Sequence, residues 1–162
     1  MLKYYPNSIV DGEGVRQVVY MAGCDHHCNG CHNPESWNKE AGTEYGVREL
    51  SVTIGLSPYN VTFSGGDPFC QLDELKLLCQ WIKATSDKTV WCYTGYTWEE
   101  ILANPELSSV LPYLTVLVDG RYCDSLKRSS LTFRGSSNQR IIDVQASLTR
   151  GEVVLWREGK YT

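Results

Sequence analysis

Three cysteines within eight residues constrain this chain more than any other feature. The stretch Met21-Ala-Gly-Cys24-Asp-His-His-Cys28-Asn-Gly-Cys31-His-Asn-Pro34 spaces them as C-x3-C-x2-C, directly after an apolar run that reads as a strand. Thiolates this close converge on one metal centre only if the loop folds tightly. Gly23 and Gly30 give the backbone that freedom, and Asn29 tolerates unusual turn geometry. The number of thiolates matters more than their spacing. A closed [4Fe–4S] site uses four cysteines, so three leave one iron without a protein ligand. In metal enzymes such an open position is where substrate binds. Spacing alone leaves other readings open: structural zinc with His26, His27 or His32 as the fourth ligand, disulfides, or free buried thiols.

The weight shifts with Val61-Thr-Phe-Ser-Gly65-Gly66-Asp67-Pro68, which reads as a buried strand running into a Gly-Gly turn. Glycines at a strand's C-terminal end expose backbone N–H and C=O groups to a ligand without side-chain obstruction. Alone, the turn is ordinary punctuation. For Asp67 the structural reading is a helix N-terminal carboxylate.

Strands are expected at Arg16–Ala22, Tyr59–Ser64, Thr89–Tyr93, Leu114–Val118 and Val153–Trp156, with residues 1–16 as an irregular lead-in. Ser129 to Asn138 reads as a strand plus a polar loop. The best-defined helix runs from Gln71 to about Thr85. Leu72, Leu75, Leu78, Cys79 and Ile82 form one apolar stripe there, and Asp73 and Glu74 suit its N-terminal dipole. Weaker helices are expected at Val47 to about Gly55 and Thr97 to Ala103. Strands alternating with helices imply a parallel α/β sheet, whose sites gather at the C-terminal strand ends.

The chain has 162 residues, enough for one domain with a real core, and the whole of 1–162 is read as that domain. Its formal net charge of -4 and lack of a Lys/Arg cluster argue against nucleic-acid binding. No apolar run approaches a membrane span, and Met1 to Pro6 lacks the apolar core of a signal peptide. Seven cysteines, an odd number, exclude a complete intrachain disulfide set. The expected setting is therefore reducing cytoplasm, where clustered cysteines suggest metal. Cys70, Cys79, Cys92 and Cys123 lie outside the cluster motif and read as packing residues.

Taken together, C-x3-C-x2-C followed by Gly-Gly-Asp-Pro resembles the signature pair of radical S-adenosylmethionine (SAM) enzymes. Val10-Asp-Gly-Glu-Gly-Val-Arg16 resembles that family's Val-Asp-Gly-Pro-Gly-Ile-Arg element, with Glu13 in place of proline. Cys31-His-Asn-Pro-Glu-Ser-Trp37, Tyr93-Thr-Gly-Tyr96 and Phe133-Arg-Gly-Ser-Ser-Asn-Gln-Arg140 resemble the glycyl-radical activases that serve anaerobic, class III ribonucleotide reductases. The similarity runs from about Asp11 to Arg140. It implies an incomplete, open parallel (β/α) barrel, since a full eight-fold barrel needs roughly 250 residues.

The resemblance also implies a mechanism. Cys24, Cys28 and Cys31 would hold three irons of a [4Fe–4S] cluster, with SAM chelating the fourth. One electron, from a flavodoxin- or ferredoxin-type donor, would cleave SAM to methionine and a 5′-deoxyadenosyl radical. That radical would take a hydrogen from one glycine of the reductase's large subunit. Gly65, Gly66 and Asp67 would bind SAM's amino group, chiefly through backbone carbonyls, with the backbone of Gly30 and His32 against SAM. Tyr93 and Tyr96 are equally candidates for core packing and for lining SAM. Asp119 reads more as a turn residue than as a ligand. The Phe133–Arg140 segment has three readings: a solvated hairpin tip, a docking surface for the reductase, or a source of an arginine for SAM's carboxylate. The last is favoured for Arg134 or Arg140, because a planar guanidinium suits a carboxylate. The alternatives are an activase of another glycyl-radical enzyme, of the formate-lyase type, and a non-catalytic iron–sulfur or zinc module.

Overall fold

The computed structural model describes residue 1 and residues 3–159. Its frame is a six-stranded sheet in the sequential order β1 (Lys3–Ser8), β2 (Arg16–Met21), β3 (Asn60–Gly65), β4 (Val90–Tyr93), β5 (Val116–Asp119) and β6 (Arg140–Asp143). The expected parallel arrangement holds for β2 to β5. The two outer strands run antiparallel to their neighbours, so the sheet is mixed.

Three expectations need correction. The lead-in is a strand over Lys3–Ser8, pairing Lys3 with Tyr20 and Ser8 with Arg16 around an irregularity. Its Pro6 and polar composition hide it, and both are tolerated on an edge strand. Ser129 to Asn138 forms no strand; the chain pairs only from Arg140 onward. Val153–Trp156 is reduced to one isolated bridge, Leu155 to Ile142.

Alternation along the central strands sends side chains to two different environments. Val61, Phe63, Cys92 and Leu117 enter the main core on the helical face. That face is covered by α1 (Val47–Leu56), α2 (Leu72–Thr85) and α3 (Trp98–Ala103). In α2, Leu75, Leu78, Cys79 and Ile82 are buried, as the stripe predicts. Each such side chain contributes about 1.5–3 kcal/mol of transfer free energy. Thr97 begins α3 with a reciprocal capping box to Glu100. A single turn, α4 (Pro105–Ser108), follows, and α5 (Val144–Arg150) succeeds β6 directly, capped by Asp143.

The opposite face is aromatic and partly polar. Trp91, Val116 and Val118 pack there with Phe133, Ile141 and Trp156. Trp156 stands edge-on to Trp91 at 5.3 Å and Phe133 at 5.6 Å from the same ring, so the C-terminal segment and the β5–β6 connection close the lower part of that face. The upper part, at the C-terminal strand ends, stays open. No helix among the described residues is long and apolar enough to cross a membrane.

Candidate metal centre and cofactor cavity

The cysteine loop leaves β2 and lies directly over the end of β3. Gly66 N donates to Met21 O at 2.8 Å and Asp67 N to Gly23 O at 2.7 Å. Gly23 N donates to Ser36 O at 2.7 Å, and Cys24 N to Trp37 O at 3.1 Å. The Gly-Gly turn is thus the seat of the loop. Gly65 has φ +108°, and a Cβ there would come within 2.5 Å of Met21 N. A Cβ on Gly66 would overlap Gly23 O and lie 2.8 Å from Ser36 O. Close backbone approach between two motifs, not only room for a ligand, demands these glycines.

Beside this contact lies an open cavity of about 630 Å³, walled by the ends of β3, β4 and β5 and by the β5–β6 connection. Cys24, Cys28 and Cys31 all line it, as do His32, Gly65, Gly66, Tyr93 and Arg134. Segments distant in sequence therefore meet on one rim, as expected for strand-end sites. The three thiols are free and half-buried. Burial pushes the Cys24 thiol up, so metal binding there must displace a proton. Asn33 N points at Cys31 Sγ from 3.5 Å. Three thiols on one loop, sharing one cavity, suit a thiolate-held metal centre such as an iron–sulfur cluster. Among the described residues no group of three His, Cys, Asp or Glu side chains is already drawn together as a metal-holding set.

Tyr93 is a wall rather than an acid. Its hydroxyl donates to Phe133 O at 2.9 Å, and burial drives its pKa far up. Arg134 is half-buried and, among the described residues, is the one Arg or Lys on the cavity wall; its Nη1 donates to Gln139 O at 2.7 Å. The segment around it is not a solvated tip. Ser136 is fully buried, and Gln139 Oε1 accepts from Gly135 N and Ser136 N at 2.8 and 3.1 Å. Gln139 itself joins the cavity wall and ties the segment to Gly120 O at 3.0 Å.

Three expected site residues stand elsewhere. Gly30 is off the wall, and a Cβ there would meet Asp124 at 3.0 Å. Asp67 is fully buried behind the rim. Arg140 is committed to Asp119, with Nη2 2.5 Å from Oδ2, and to Glu99 at 2.7 Å. Asp119 is a buried structural acceptor. Sequence reasoning left out Tyr122, whose ring lies 4.7 Å from that of His32 on the cavity wall, and Asp11, which accepts from Tyr20 Oη at 2.9 Å beside it. The Val10-Asp-Gly-Glu-Gly motif was the available signal for Asp11. Tyr122 had none.

Comparison with known proteins bears on this cavity directly. A family model described as a 4Fe-4S single cluster domain matches residues 10–142. The anaerobic ribonucleoside-triphosphate reductase-activating protein of Haemophilus influenzae is 37% identical over 149 residues, covering 86% of this chain and 95% of its own length. This chain belongs to the family of anaerobic ribonucleoside-triphosphate reductase-activating proteins. The activating protein of phage T4 is 36% identical, with 86% of this chain and 90% of its own covered. That of Escherichia coli K12 is 35% identical, at 85% and 94%. The family match supports an iron–sulfur cluster as cofactor of this chain.

Proposed function

We propose that this chain is a radical SAM activase. It holds a [4Fe–4S] cluster through Cys24, Cys28 and Cys31, binds SAM in the rim cavity, and generates a glycyl radical on the large subunit of an anaerobic ribonucleotide reductase. The observation that carries this reading is the meeting of three free thiols with the Gly65–Gly66 turn on one cavity wall. The relatives' shared name supplies the partner.

When bound, such a cluster supplies the single electron that breaks a carbon–sulfur bond of SAM. The chain's own residues hold and orient. Cys24, Cys28 and Cys31 would hold three irons, which would leave the fourth to the ligand's amino and carboxylate groups. The main chain of Gly65 and Gly66 would offer carbonyls to the N–H groups of that metal-bound amine, and Arg134 a guanidinium to the carboxylate. Tyr93, kept neutral by burial, walls the cavity and excludes water. The open upper rim gives a glycine-bearing loop of the partner access. We read the mixed sheet as an incomplete barrel of the radical SAM type, with a flavodoxin- or ferredoxin-type protein as electron donor.

Anaerobic incubation with SAM, reductant and the reductase, followed by electron paramagnetic resonance, tests the reading. The expected result is a glycyl-radical signal on the partner that requires SAM. A stable cluster whose signal ignores SAM, with no radical on any partner, overturns it.

A further inference from the structure

We propose that Asp67 is a positioning residue: its buried carboxylate, acting through His26, sets the cysteine loop against the sheet before any iron is bound. The inference deepens the function proposed above and rests on it for the identity of the metal centre.

The carboxylate is engaged by the protein on both oxygens. Oδ2 accepts from His26 Nε2 at 2.7 Å, Thr94 Oγ1 at 2.9 Å and Gly95 N at 2.9 Å. Oδ1 accepts from Phe69 N at 2.9 Å. Four protein donors thus meet this one carboxylate, three on Oδ2 and one on Oδ1. Asp67 has no exposed surface and does not line the cavity. SAM contact at this motif therefore falls to the main chain of Gly65 and Gly66, and the acid works on the protein itself.

His26 is the route. It lies two residues from both Cys24 and Cys28, and its side chain is only 7% exposed. The ring sits in a slot made for it. Tyr96 stands edge-on at 4.6 Å, and a Cβ on Gly95 would overlap the imidazole. Other anchors of this segment tie it to the chain just beyond it or are long: Cys24 N donates to Trp37 O at 3.1 Å and the His27 ring stacks on Trp37 at 4.8 Å. Cys31 N reaches Cys28 O at 3.1 Å within the loop, and Cys70 Sγ stands 3.9 Å from Asp25 Oδ2. The loop also contains left-handed residues, His27 at φ 48° and Gly30 at φ 75°. Such a segment samples many conformers unless something fixes it. The Asp67–His26 bond spans 41 residues and ties the loop to the ends of β3 and β4 at once.

Three variants test this. His26→Leu removes the donor, Gly95→Ala expels the ring while keeping every hydrogen-bonding group, and His26→Gln restores a donor. Hydrogen exchange of the metal-free protein is measured over residues 22–33, then iron retained after anaerobic reconstitution, then the SAM-induced change in the reduced cluster's resonance signal. In His26→Leu and Gly95→Ala, loop amides should exchange about tenfold faster, the loss of one charge-assisted hydrogen bond. Exchange in α2 should be unchanged, iron content should fall, and His26→Gln should recover both. Unchanged loop exchange in His26→Leu overturns the proposal. So does faster exchange with full iron loading and an unaltered SAM response, which would make the contact merely structural. A wild-type cluster indifferent to SAM overturns the proposed function while leaving the exchange result standing, so the two failures separate.

Discussion

Arg140 and Asp119 clamp β5 to β6, with Nη2 2.5 Å from Oδ2 and Nε 3.1 Å from Oδ1. The Asp119 carboxylate is buried and also accepts from Trp98 N at 2.7 Å, which fixes the start of α3. The bond to Asp119 raises the pKa of Arg140, and the bond from Arg140 lowers that of Glu99. The pair is therefore part of the frame around the cavity, not part of its wall.

Arg140→Ala leaves a buried carboxylate short of its cation. We expect a loss of about 2–4 kcal/mol in denaturant unfolding, with SAM affinity of the folded protein unchanged. The lowered pKa of Glu99 means that its share of stability is fully present above the ordinary glutamate range and is lost as pH falls from there through the lowered value. Lost SAM binding at unchanged stability would return Arg140 to the cofactor site.

Single replacement of Cys24, Cys28 or Cys31 by Ala should abolish cluster retention and SAM cleavage, since each leaves an iron unligated. All three are half-buried, so thermal stability should hardly move. Replacing the fully buried Cys79 or Cys92 should do the reverse. The check is iron and sulfide content alongside thermal unfolding. Full activity in Cys28→Ala would reject the assignment.

Gly66→Ala places a methyl group against Gly23 O and Ser36 O. The loop must lift, and we expect about 1–3 kcal/mol of overpacking cost together with lower iron retention. A variant that keeps its cluster and loses only SAM affinity would show that the glycine serves the ligand alone.

Arg134→Ala should weaken SAM binding about tenfold or more, the value of one charge-assisted pair, and should lower uncoupled SAM cleavage and glycyl-radical yield together. Loss of radical yield alone would assign Arg134 to docking the reductase. Normal values of both would leave it only its bond to Gln139 O.

Cys70 is half-buried, and burial beside Asp67 pushes its thiol up to about 11. The thiolate is the reactive form. Alkylation of Cys70 in the metal-free protein should therefore be slow at neutral pH and rise as pH approaches that value, as peptide mass spectrometry would show. Labelling as fast as a free model thiol at neutral pH would contradict the burial.

Local pattern determined much of this molecule by itself. The stripe of α2, the apolar runs of β2 to β5, the Thr97–Glu100 capping box and the cysteine spacing are written in contiguous residues, where periodicity and turn chemistry act directly. So was the meeting of the Cys, Gly-Gly and Thr-Gly elements on one rim, because parallel strands carry their C-terminal ends to the same edge. Tertiary structure alone decided the rest. Lys3–Ser8 and Arg140–Asp143 are strands because a neighbour's unpaired edge accepts them; the strand preference of Tyr4, Tyr5, Ile141 and Ile142 is too short a signal to say so alone. The residue types at Asp67 and at Arg140 suit either role. Whether they face a ligand or a buried partner depends on His26, Thr94, Asp119 and Glu99, residues many positions away that only folding brings within hydrogen-bond distance.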